Sequence, residues 1–353
     1  MAAALVLAAA GIGAQLSDRG ESKPGMPRGY VCERAVRPPV IDGLLDDPAW
    51  QAAPWTEHFV DIEGYVRPLP PFATRAKMLW DDRFFYVGAW LEEPQVWATL
   101  SQRDSVIFQD NDFEVFCDPD GDNHNYYEIE INALNTVWDL RLAKPYRDGG
   151  PALNEWEIPG LRSVVHVDGT LNDPSDVDRG WSVEMAIPWA ALAEFAGRPV
   201  PPRHGDQWRM NFSRVEWRTE VAAGHYGKLA GRREDNWVWS PQGVVDMHRP
   251  EKWGIVQFST AAPGEARLRQ DPTLPARDLL TSVYYAQRSF REQHRRWART
   301  LEELGWTPPD PAPGESLRLE TTPEGWQAST IASATAPPVR VWIRQDSRTW
   351  VSD

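Results

Sequence analysis

The segment QDNDFEVFCDPDGDNHNYYEIEINALNTVWD, residues 109–139, decides the fold. From 112 to 118 the side chains alternate, with Phe113, Val115 and Cys117 on one side and Glu114 and Phe116 on the other. From 126 to 133 the alternation is cleaner: Tyr127, Ile129, Ile131 and Ala133 face one way, Tyr126, Glu128, Glu130 and Asn132 the other. A side-chain period of two marks a strand. Residues 119–125 between them are turn formers plus one histidine. The segment therefore reads as a hairpin with one apolar face and one face of acids, amide and aromatics. That second face is either solvated or built to accept hydrogen bonds from a polyhydroxy ligand.

The same period recurs on both sides. Residues 74–80 and 83–91 make a hairpin about Asp81-Asp82, and 30–35, 136–142, 163–167, 181–187, 207–215 and 254–259 read as further strands. Single helical turns are expected at 46–50 and 188–192, and a charged loop at 222–232. About ten short strands with hardly any helix imply an all-β protein, an immunoglobulin-like or jelly-roll β-sandwich over 28–260. Beyond a linker at 261–275 the period switches. Leu279, Val283, Ala286, Phe290, Trp297, Leu301 and Leu304 step by three and four over 276–304, with one break near His294. Short strands at 317–320, 326–331 and 339–345 complete a small C-terminal α+β appendage, 276–353. Its helix either docks its apolar stripe on protein of the same chain or, through its arginines, offers a surface to a protein partner.

Composition narrows the function. A net charge of −14 excludes nucleic acid and anionic lipid as main partners, because both need clustered Lys and Arg. Residues 1–14 are apolar and small after Met1, too short to span a bilayer, and read as a secretory signal followed by a polar linker at 15–27. The expected location is extracellular or periplasmic, with no membrane span. Cys32 and Cys117 leave both a disulfide and buried free thiols open. The 19 tryptophans exceed what a core of this size needs, so some are expected in a groove.

Zinc spacings, phosphate loops and nucleophile elbows are absent. Glu114, Glu128 and Glu130 share a face, as a glycosidase pair would, but a catalytic acid needs an enclosed site. A strand face of this kind is expected to be open and paired with Arg141, Arg209 or Arg214. The turn at 118–123 is rich in oxygen donors without EF-hand order, so a calcium has no assignable ligands. Sugar recognition needs rings for the apolar C–H faces and a few polar groups for the hydroxyls. Phe108, Trp138, Trp217, Trp237 and Trp239 are the ring candidates; Glu114, Glu128, Glu130, Asn132, Arg214 and His248 are the polar ones.

An ordered series of short motifs resembles the family 9 carbohydrate-binding modules, a DOMON-like family. It runs from Val40-Ile41-Asp42-Gly43 and Trp50 through Leu79-Trp80-Asp81-Asp82 to Asn111-Asp112-Phe113-Glu114-Val115-Phe116. It continues with Val183-Glu184-Met185-Ala186-Ile187-Pro188, Met210-Asn211-Phe212 and Trp239-Ser240-Pro241, and ends at Arg249-Pro250-Glu251-Lys252-Trp253-Gly254. The resemblance implies a non-catalytic β-sandwich that binds sugars, typically at polysaccharide ends, often with calcium. It places the family's glutamate on Glu114 and its two sandwiching rings on Phe108 and Met247, and it puts Glu128 and Glu130 where the family has Gln and Arg. The second ring and the basic donor are thus replaced, with Trp239 or His248 as candidates to fill the ring's place. DOMON-like folds also include b-type haem domains, for which Met247 and His248 are the axial-ligand candidates; a glycoside hydrolase-associated or adaptor role is the remaining alternative.

Overall fold

The computed structural model describes residues 26–307 and 317–352; the expected signal at 1–14 and most of the 15–27 linker lie outside the described residues. The strands are β1 (Gly29–Arg34), β2 (Val60–Asp61), β3 (Thr74–Trp80), β4 (Phe84–Glu92), β5 (Asp112–Asp118), β6 (Tyr126–Asn132), β7 (Val137–Leu142), β8 (Ala152–Leu153), β9 (Arg162–Asp168) and β10 (Gly180–Pro188). They continue with β11 (Gln207–Glu216), β12 (Thr219–Ala222), β13 (His225–Lys228), β14 (Asp235–Val238) and β15 (Gly254–Ser259). After the helices α3 (Leu274–His294) and α4 (Leu301–Leu304) come β16 (Arg318–Thr322), β17 (Gly325–Ala332), β18 (Val339–Arg344) and β19 (Thr349–Ser352). Two short helices, α1 (Pro48–Ala52) and α2 (Trp189–Leu192), sit where single turns are expected.

One continuous sheet runs β8-β7-β6-β5-β11-β15-β1-β3-β4-β10-β9 and folds over on itself into a sandwich. Parallel pairing of β1 with both β15 and β3 carries the hydrogen bonding from one half to the other. The interior is filled by the apolar series of the opening hairpin (Phe113, Val115, Ile129, Ile131) against Met78, Val87, Val183 and Met185 from the other half. Cys32 and Cys117 are both free and buried, which settles the open question in favour of thiols. The expected loop at 222–232 is partly a hairpin, β12–β13. Its turn uses Ala223 and Gly224, both at positive φ, and Ala-Gly is not a pair that announces such a turn.

Two of the motif segments meet through one carboxylate. Glu184 on β10 accepts hydrogen bonds from the backbone N–H groups of Asp42, Gly43 and Leu45 at 2.8–3.1 Å. Gly43 sits at φ +88°, and a Cβ there would meet the His166 backbone at 3.0 Å, so the turn needs glycine.

The C-terminal helix breaks as its period does. Arg295 takes a left-handed conformation after His294, and a separate short α4 follows. Leu280, Val283 and Tyr284 of α3 pack on Trp326, Ala328, Val341 and Ile343 of the four-stranded sheet β16-β17-β18-β19. The face of α3 that meets the sheet is thus Leu280, Val283 and Tyr284 rather than the whole expected stripe, of which Ala286 and Phe290 are only half-buried. The β5–β6 turn, read from the sequence as a plain polar turn, anchors this unit. Asn123 donates to the Ser347 carbonyl at 2.8 Å, Arg348 pairs with Asp122 at 2.8 Å, and Arg277 donates to the Gly121 carbonyl at 3.0 Å. Among the described residues no helix is long and apolar enough to cross a membrane.

Replacing Glu184 with alanine leaves three backbone donors without their acceptor. Urea unfolding of Glu184→Ala should show a loss of about 3 kcal/mol, whereas a surface control such as Glu220→Ala should show almost none.

Candidate functional site

The register of β5, β6 and β11 determines what shares the polar face. Glu114 lies directly across from Glu130 on one side and Ser213 on the other. Asp112 faces Asn132, Phe116 faces Glu128, and Trp138 of β7 faces Glu130. Contrary to expectation this face is closed. Glu114 is 5 % exposed, Glu128 4 %, Glu130 2 % and Asp112 0 %. Phe116, Tyr126, Leu140, Leu142 and Trp253 form an apolar cluster over one end, with Trp138 and Met247 packed against it.

The expected arginine partners are all engaged elsewhere. Arg214 belongs to the opposite parity of β11 and is 1 % exposed. It pairs with Glu93 at 2.7 Å and Glu216 at 2.8 Å and stacks on Trp237. Arg209 donates to the Trp253 carbonyl at 3.1 Å, and Arg141 lies over the Phe195 ring and donates to Asn125. Among the described residues no Arg or Lys forms an ion pair with Asp112, Glu114, Glu128 or Glu130. Burial without a counter-charge raises all four carboxyls, Glu114 to about 7, and the mutual repulsion of the acids pushes Asp112, Glu128 and Glu130 further up.

The remaining candidates divide. Trp239 cannot replace a missing ring: it is fully buried, packs on Phe212, and lies where a Cβ at Gly254 would come within 2.5 Å of it. Trp237 is buried beneath Arg214. Asn132 is committed to its own turn. Its Oδ1 accepts from Leu134 and Thr136, and its Nδ2 donates to the Leu100 carbonyl and Asp110. His248 is wedged among Phe116, Tyr126 and Tyr146, its Nδ1 3.1 Å from the Tyr126 hydroxyl, and burial lowers its pKa to about 4. Met247 is half-buried; its carbonyl accepts from the Trp253 indole at 2.9 Å and its Sδ lies 3.4 Å from the Gln242 amide. Of the haem reading's axial-ligand candidates, the Met247 sulfur and the His248 Nδ1 are both engaged within the protein.

Four rings border the acids with part of their surface free. The Phe108 N–H donates to Glu130 at 2.9 Å, and the Trp217 indole donates to the Phe108 carbonyl at 2.9 Å. Phe108, Trp138 and Trp217 are half-buried and Tyr146 is exposed. Lys228 lies 3.6 Å above the Trp217 ring. Asp112 and Tyr146 were not candidates from the sequence. Asp112 was legible, since it stands two residues before Glu114 on the same strand; Tyr146 arrives from a loop and carries no such signal.

Among the described residues two acidic groups have metal-compatible geometry. In Asp112, Glu114 and Glu130, one oxygen of each lies within 4.8 Å of the others, and the same holds for Asp118, Asp120 and Asp122 in the turn. The turn acids are largely satisfied: Asp118 accepts from Gly121 and Asn123, and Asp122 from His124 and Arg348.

The raised carboxyls make stability depend on pH. In the folded chain Glu114 holds its proton to about 7, against an ordinary 4.5, so folding takes up protons in that window and stability falls as pH rises through it. Chemical unfolding in EDTA should therefore show lower stability at pH 8 than at pH 5. Glu114→Gln, which cannot ionise, should flatten that difference.

Residues 41–203, a little under half of the chain, match the family model described as carbohydrate family 9 binding domain-like. The Acetivibrio thermocellus exoglucanase XynX is 26 % identical over 159 residues, which are 45 % of this chain but 12 % of that protein. The chain therefore spans only a small part of its curated relative. A candidate carbohydrate-binding protein from Bacteroides uniformis aligns over 66 % of this chain and 100 % of its own, at 17 % identity and a TM-score of 0.50. A family 9 module from Caldicellulosiruptor kristjanssonii in complex with cellotriose aligns over 69 % of this chain and 100 % of its own, at 15 % identity and a TM-score of 0.44. The match to the family model agrees with the ordered motifs: residues 41–203 are similar to the carbohydrate family 9 binding domain-like family.

Proposed function

We propose that the domain is a non-catalytic, exported carbohydrate-binding module acting in polysaccharide breakdown. The observation that carries the reading is the match of residues 41–203 to the carbohydrate-binding family 9-like model. The rings around the closed acids support it. Phe108, Trp138, Trp217 and Tyr146 offer flat apolar faces, which suit the C–H faces of a pyranose, and Lys228 and Gln109, joined at 3.1 Å beside them, offer polar groups for hydroxyls. Glu114, Glu128 and Glu130 lie beneath these rings and shape the floor. A glycosidase would need two carboxyls open to substrate with room for water or a covalent intermediate. The face is enclosed, as a catalytic acid requires, but the three glutamates are at most 5 % exposed and so have no surface with which to meet a glycosidic bond; recognition without hydrolysis is the reading favoured.

Isothermal titration with a panel of monosaccharides and cello- and xylo-oligosaccharides tests this. Saturable binding of at least one sugar is expected. Trp138→Ala and Phe108→Ala should each weaken it about tenfold, the worth of one stacked ring. Folded protein that takes up no sugar at millimolar concentration overturns the reading.

A further inference from the structure

The end of α3 concentrates positive charge beside the rim of rings. Between 288 and 299 the sequence has five arginines and one acid, Glu292, in a chain with 51 Asp and Glu against 37 Lys and Arg. A helix C-terminus attracts cations, but its dipole is worth about half a charge and accounts for one of them at most. Arg296 pairs with Glu303, and Arg288 with Asp148. Arg291 and Arg295 are exposed, and among the described residues neither forms an ion pair; Arg291 lies 4.4 Å above the Trp297 ring. These two, with Arg147, Arg288, Glu292 and the half-buried Trp297, line a cavity of about 410 Å³. That is within the range of small-ligand sites, about 300–1,000 Å³. The cavity adjoins the rim. Arg147 in its wall directly follows Tyr146, one of the four rim rings. Its guanidinium donates to the His248 carbonyl at 2.5 Å, and the His248 ring lies against Tyr146 with centroids 4.5 Å apart. Arg288 donates to the Arg147 carbonyl at 2.8 Å and so holds α3 against the same loop.

We propose that this cavity is a subsite for a sugar residue bearing a carboxylate, a uronate, bound next to the neutral residue that stacks on the rim. The proposal rests on the reading of the rim as a sugar site. Trp297 offers a flat apolar face for the C–H side of the ring. Arg291 and Arg295 offer guanidinium forks, whose planar donors match a carboxylate, and stacking on Trp297 holds the Arg291 fork in place. Glu292 supplies an acceptor for a hydroxyl. The floor under the rim consists of acids and gives a carboxylate no partner, so the charged residue of an oligosaccharide is directed to the arginine end and the neutral one to the rings. A dense polyanion is a poor fit, because the net charge of −14 repels it at long range, whereas a single carboxylate needs only its local pair. Residues 288–297 lie outside the stretch 41–203 that matches the family model, so the subsite belongs to the appended C-terminal unit.

The test titrates the full chain, at low salt and neutral pH, with xylo-oligosaccharides of equal length with and without a glucuronic acid branch, and with the branched one as its methyl ester. The acid should bind about tenfold more tightly than the neutral sugar or the ester, and added salt should narrow that gap. The double variant Arg291→Gln/Arg295→Gln should bring the acid down to the affinity of the ester. Arg299→Gln, a nearby exposed arginine outside the cavity, should keep the preference. Both cavity arginines are exposed, so the double variant should unfold at the parent's midpoint, and loss of preference is separable from loss of fold. Equal affinity for acid, ester and neutral sugar overturns the proposal and leaves the sugar reading standing; no uptake of any of them overturns both. A preference that survives in the double variant, or that Arg299→Gln removes equally, overturns the assignment to this cavity. Binding of a single-stranded oligonucleotide or of vesicles rich in phosphatidylglycerol as tight as that of the acid, and lost in the double variant, overturns it in favour of a general polyanion surface.

Discussion

The antiparallel register of β5 with β6 and β11 is the constraint on which the rest depends. Phe113 opposite Ile131 and Val115 opposite Ile129 place one side of the sheet in the sandwich interior. The same register forces Glu114 against Glu130 and Phe116 against Glu128 on the other side. A slip of one residue would turn the acids into the core and the aliphatic side chains out, so the core and the acidic face are specified together. Burial of the apolar set thus holds the acids in place, although their mutual repulsion favours separation.

The motifs along the chain are, in physical terms, parts of that sandwich. Glu184 on β10 satisfies three backbone donors in the turn at 42–45, tying the first motif to a strand far along the chain. Gly254 opens the space that the Trp239 ring fills. Tyr30 donates to the Pro54 carbonyl at 2.7 Å, and the Trp80 indole reaches the Cys32 and Ser259 carbonyls at 3.1 and 3.2 Å. Motifs of this type hold the scaffold, which is why they identify the fold more securely than the ligand.

The scaffold leaves charge unbalanced on the β5–β6 face. A sandwich face carrying four acids and no basic partner is tolerable only if protons or a bound cation neutralise it. The rings at its border, Phe108, Trp138, Trp217 and Tyr146, keep part of their surface free while the acids beneath them do not. The apolar rings thus lie at the border of the face and the acids below them, which is the arrangement the proposed sugar site would use. The C-terminal unit approaches the same strands from the turn end, through Asn123, Asp122 and Gly121.

The sequence by itself determined the β-sandwich, the hairpin at its centre, the division of that hairpin into apolar and acidic faces, and the helix with its break near His294. These follow from periodicity, which is local: a period of two or of three to four residues can be read without knowing what packs where. Only the tertiary structure decided that the acidic face is closed, that Arg214 and Trp239 turn away from it, that Asn132 serves its own turn, and that Leu280, Val283 and Tyr284 are the residues of α3 that meet the four-stranded sheet. Those outcomes depend on which distant elements cover a face and which partner reaches each charge first. Val36 and Val40 are exposed while Glu114 and Glu130 are buried, the reverse of what side-chain polarity alone implies, because covering elements rather than residue type set burial at these positions.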